Sequence, residues 1–145
     1  MREIKFRGKC LASDEWVYGD LIHKRHDRDA LMIQEGTGLG SDVIPGSVGQ
    51  FTGLHDRDGK EIYEGDIIDF YSAFWRELEY PNKIDPKHFY RLVVVWNKRD
   101  AGFGLVSLGE ALLPPEAQSP VGITQISDSY LIGNIHDNSE LLKSL

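Results

Sequence analysis

The chain has 145 residues, a common size for one folded domain, and its 41% hydrophobic and 27% charged residues exclude a disordered polymer. A net charge of −7 argues against a broad basic face for gripping phosphates. Cys10, the single cysteine, excludes an internal disulfide and a cysteine-rich zinc site.

Sheet signals begin at once. Glu3–Arg7 alternates apolar with charged residues, as a half-buried strand does. A turn is expected through Ala12-Ser13-Asp14, then a strand over Glu15–Ile22, rich in aromatic and β-branched residues. The charged stretch His23–Asp29 reads as a loop, followed by a short strand over Ala30–Gln34. Gly36–Ser41 reads as punctuation. Pro45 interrupts any strand over Asp42–Gln50 or confines it to an edge.

Asp56-Arg57-Asp58-Gly59 is a tight-turn signature. Lys60–Tyr71 then predicts a long strand, bent or bulged at Glu64-Gly65-Asp66. Pro81 and Pro86 preclude a long regular element in 72–90, which is expected to be an irregular insertion. Arg91–Trp96 carries a continuous apolar run, which implies a strand buried on both faces. Asn97–Gly102 turns the chain and Phe103–Leu108 runs back. Glu110–Gln118 reads as loop or short helix. Tyr130–Ile135 is the last strand, with Asn138 or Ser139 placed to cap a short terminal helix. The fold class expected is mainly β: small barrel-like or sandwich-like antiparallel sheets, with an SH3-like barrel element and a short C-terminal helix. Residues 1–145 are expected to form a single domain.

Three segments together resemble a known family. Met1–Arg7 opens the chain. Gln50-Phe51-Thr52-Gly53-Leu54 leads through Asp56 and Gly59–Tyr63 to Glu64-Gly65-Asp66-Ile67-Ile68. Ile132-Gly133-Asn134-Ile135 continues to Leu142. The whole resembles the YopX family of bacteriophage and prophage proteins. The resemblance implies a mostly β protein of phage or prophage origin, and it does not imply a function. His136 stands where the family often has Tyr, and Ser139 where it often has Pro, which weakens a ligand role for His136.

Several chemical readings compete with bland ones. Asp56-x-Asp58-Gly59 resembles a calcium loop, but the register puts Leu54 and Gly65 where carboxylates are needed. Asp20, His23, His26, Asp27 and Asp29 form the densest set of metal-ligand types. Lys24, Arg25 and Arg28 would repel a cation there, and odd spacing on a strand divides the two histidines between faces. Gly36–Gly40 leads into Asp42-Val43-Ile44-Pro45 and not into a helix, so it makes a poor phosphate cradle. Trp16, Tyr18, Trp75 and Trp96 could stack on bases, although core packing is the usual fate of strand aromatics. Cys10 has no local base to activate it.

No catalytic, cofactor-binding or metal-binding residue is therefore assigned, and no cofactor is expected. Gly53, Asp56, Gly59, Glu64, Gly65, Asp66, Gly133 and Asn134 are assigned to turns and bends of the β body. The function expected is a non-enzymatic protein-binding or assembly module of a phage or prophage. Its partner would be a host or phage protein, or a second copy in a homo-oligomer. The alternatives are a metal-dependent hydrolase or nuclease using Asp20, His23, His26 and Asp66, and a single-stranded nucleic-acid binder. The Met1–Lys5 start lacks the apolar run of a secretion signal, and no stretch approaches the ~20 apolar residues of a membrane span. A cytoplasmic location without membrane contact is expected.

Overall fold

The computed structural model describes residues 2–70, 90–123 and 129–143. Of the described residues, 52% are strand and 12% helix, so the fold is mainly β, arranged as two antiparallel sheets without a closed barrel among those residues. The expected insertion at 72–90 lies outside the described residues except for Tyr90. The chain forms two compact units, Met1–Gly53 and Leu54–Leu145.

In the first unit, β1 (Phe6–Lys9), β2 (Trp16–Lys24), β3 (Asp27–Gln34), β4 (Ser41–Val43) and β5 (Gly49–His55) stand in the order β4-β3-β2-β1-β5. β5 crosses the boundary between the units, and β6 (Glu61–Tyr63) follows it in that order. The charged run expected as a loop is instead a hairpin. β2 extends to Lys24, Arg25 and His26 turn, and β3 begins at Asp27. Its side chains are mostly exposed, so charge there reports a solvated sheet face and not a lack of structure. β1 also starts later than the Glu3–Arg7 alternation suggests.

The unit's interior collects Ile33, Val43 and Phe51, all buried. Ile33 and Val43 lie so close to Gly8 that a Cβ there would stand 3.1 Å from both. Cys10 bridges Val43, while the amide of Leu11 donates to the carbonyl of Asp42 and that of Ile44 to Lys9, which curls β4 back onto the end of β1. Pro45 ends β4, and a 3-10 turn, Pro45–Ser47, follows. Ser47 secures it by accepting from the Lys9 amide at 2.8 Å and donating to the Ile44 carbonyl.

The second unit holds β7 (Asp66–Phe70), β8 (Tyr90–Asn97), β9 (Gly102–Ser107), β10 (Val121–Gly122) and β11 (Ser129–Asn134), ordered β10-β9-β8-β7-β11. Successive residues on a strand face opposite sides. Ile68, Val94 and Leu105 pack with Ile62 in one cluster, whereas their neighbours Ile67, Val93 and Val106 pack with Leu108 in another. The centre of this sheet is therefore covered on both faces, as the apolar run of β8 implies. Burying one such side chain contributes roughly 1.5–3 kcal/mol. Arg91 and Asp69, paired across β7 and β8, form a two-pronged ion pair at 2.8 and 3.1 Å.

A short helix, α1 (Leu108–Ala111), follows β9 and is capped by the Ser107 hydroxyl, which accepts the Glu110 amide. A 3-10 turn over Pro115–Ala117 leads to β10, an element with no signal in the sequence pattern. The chain closes with a 3-10 segment, Ser139–Lys143. No helix among the described residues is long and apolar enough to cross a membrane.

Candidate functional site

Asp56, Asp66 and Asn134, singled out from the sequence, bind backbone. Asp56, 6% exposed, ends up between a turn and a strand. Its Oδ1 accepts the amides of Asp58 and Lys60 at 2.9 and 2.8 Å, which closes the Asp56–Gly59 turn. Its Oδ2 accepts the Leu131 amide of β11 at 2.9 Å. Beside it the Arg57 amide donates to the Ser129 carbonyl, so this turn covers the outer edge of β11. Burial pushes the Asp56 carboxyl up, but the three amides, from Leu131, Lys60 and Asp58, outweigh it. With the charge of Lys60 they hold the group below the usual carboxylate range.

Asp66 is 1% exposed, and its Oδ2 accepts the Tyr63 amide at 2.7 Å. That bond spans the bend at Glu64 and Gly65. Gly65 has φ 91°, a conformation side chains resist, and its amide and carbonyl are bonded to Val94 and Ile135. Asn134 gathers the other end of β11. Its Oδ1 accepts the amides of His136 and Asp137, its Nδ2 donates to Asp137, and its own amide donates to Asn138 Oδ1. Asn138 reaches back so tightly that a Cβ on Gly133 would collide with its side chain. Gly53 and Gly59 occupy positive-φ positions at 84° and 81°.

The candidate metal ligands behave differently. His23 is an exposed residue of β2, His26 lies at the exposed hairpin turn, and Asp27 accepts the Asp29 amide. No group of three or more His, Cys, Asp or Glu among the described residues is placed to hold a metal ion. The Cys10 thiol is pulled below its usual range by hydrogen bonds, chiefly to the Ser13 side chain. Trp75 lies outside the described residues.

A different place in the second unit has the shape of a site. A cleft of about 470 Å³ runs between the end of β8 with the turn that follows it, Trp96-Asn97-Lys98-Arg99, and the segment Pro115–Pro120. Trp96 does not enter the core as strand aromatics usually do; it is 42% exposed. Phe103 holds it edge-on, with ring centroids 5.2 Å apart. Asn97 organises the turn by donating to Asp100 Oδ2 and accepting the Arg99 amide. On the facing wall, Gln118 donates to the Leu113 carbonyl at 3.0 Å. Gly104 lets that wall approach, because a Cβ there would stand 2.7 Å from Pro120. Leu112, Leu113 and Val121, which flank the wall in sequence, are exposed. The sequence marked Trp96 as an aromatic candidate and gave no sign of Lys98, Arg99, Gln118 or Ser119, because the cleft joins segments that read separately as turn and loop.

A family model described as YopX protein matches residues 5–143. The chain belongs to the YopX family. No curated protein matches it. Among solved structures, the crystal structure of protein EF1440 from Enterococcus faecalis is similar over 98% of this chain and 99% of that one, at 22% identity and a TM-score of 0.52. The likeness to that structure is one of fold. In this YopX-family chain Gly53, Asp56, Gly59, Gly65, Asp66, Gly133 and Asn134 stand at turns and bends.

Proposed function

We propose that this YopX-family protein is a non-enzymatic binding or assembly module of a phage or prophage, and that its second unit grips a protein partner at the Trp96 cleft. The observation that carries the reading is the half-exposed Trp96 ring on the cleft, fixed by Phe103 and accompanied by exposed Leu112, Leu113 and Val121. Rigid aromatics flanked by apolar and basic groups are typical anchors of protein interfaces. Pairing through the edge of β11 is a poorer route, since the Asp56 carboxylate and the Arg57 amide already occupy it.

The test is a paired capture from prophage-induced host cells, using the full chain and its Trp96→Ala variant. A captured protein is then purified and its affinity for both chains measured. The reading expects Trp96→Ala to weaken binding by about tenfold or more while the circular dichroism spectrum stays the same. Equal affinity for both chains would refute it.

A further inference from the structure

We infer that the Trp96 cleft recognises an extended acidic peptide segment, with a carboxylate held at Lys98 and Arg99 and an apolar side chain laid against the Trp96 ring. This rests on the binding reading above and adds the chemistry of the ligand. Lys98 and Arg99 are both exposed at the tip of the β8–β9 turn, and neither side chain makes an ion pair among the described residues. The tip is braced from within, since Asn97 binds both Asp100 and the Arg99 amide. Asp100 therefore directs its carboxylate to the Asn97 amide.

Glu116 is the remaining charge on the lining, and it belongs to the facing wall. It repels an acid at its own side and so favours an acid at the wall of Lys98 and Arg99. Trp96, Lys98 and Arg99 belong to one wall, and an extended peptide presents an acid and an apolar group to that wall from residues two apart, which share a face. A carboxylate gains bidentate bonding from an arginine and a second charge from the lysine. Single-stranded nucleic acid fits less well. Its backbone needs a track of cations, and this cleft lines two cations with one acid.

The experiment uses the isotope-labelled full chain, observed by nuclear magnetic resonance. It is titrated separately with a blocked hexapeptide in which glutamate and leucine stand two positions apart, its glutamine–leucine counterpart, and a decamer of thymidylate. The expected result is a shift of the Trp96 indole N–H and of the Lys98 and Arg99 amides with the glutamate peptide. Binding should weaken about fivefold or more with the glutamine peptide, with added salt, and in the Lys98→Glu/Arg99→Glu double variant. Three results overturn the inference: no shift at the cleft, equal binding of the two peptides, or tighter binding of the oligonucleotide. Should the peptide fail while Trp96→Ala still abolishes partner binding, the acidic-peptide assignment falls and the binding reading stands.

Discussion

Asp56 and Leu131 are joined by a 2.9 Å hydrogen bond from the strand amide to the carboxylate, across 75 positions of sequence. Two more amides share the same carboxylate, those of Asp58 and Lys60. One buried side chain thus both shapes a turn and docks it on the edge strand. Asp56→Ala should destabilise the second unit by about 2–4 kcal/mol, because three amides lose their acceptor and the Leu131 amide is left without one. Asp56→Asn keeps one oxygen and should lose less. Urea denaturation of the three proteins orders them.

The same bonds predict a dependence on acid. The folded-state pKa of Asp56 is depressed, so its contribution is complete above the unfolded-state value of about 3.9 and is lost as pH falls through the lower folded value. As pH falls below about 4, stability of the natural chain should fall more steeply than that of Asp56→Asn. Parallel curves for the two proteins would show that this carboxylate is not the titrating group.

At the far end of β11, the missing side chain of Gly133 leaves room for Asn138. Gly133→Ala should cost about 1–3 kcal/mol by forcing Asn138 from its bond with the Asn134 amide. In a double-mutant cycle, Gly133→Ala should cost less in an Asn138→Ala background, since the clash with the carboxamide is removed and only the tight 3.1 Å approach of the Cβ remains. Additive losses would mean that the two positions do not collide.

Much of this architecture is legible in the residues. The run Leu92–Val95 gives a strand covered on both faces because Val93 and Val94 each meet a different apolar cluster. Gly65 and the turn at Gly59 are marked by residue types whose backbone freedom or side-chain acceptors have few other uses. The β2–β3 hairpin is hidden because its exposed faces carry charge, so polarity there imitates a loop. The cleft is hidden for a different reason. Its walls meet through the closeness of Gly104 and Pro120, a relationship between segments that no local spacing encodes.

Trp96→Ala should leave the fold nearly intact. The residue is 42% exposed, so the variant loses the edge contact with Phe103, worth about 0.5–1.5 kcal/mol, and part of the roughly 1.5–3 kcal/mol of full side-chain burial. A thermal melt of the variant checks this, and a large drop would make Trp96 a structural residue first.

The acidic turns hold the fold, and the Trp96 cleft is the proposed partner surface. Hydrogen exchange of the full chain with and without its purified partner separates the two most directly. Protection confined to 96–99 and 115–120, with exchange at 56–66 unchanged, is the predicted result. Protection centred on 56–66 or 133–138, with the cleft still exchanging freely, would contradict it.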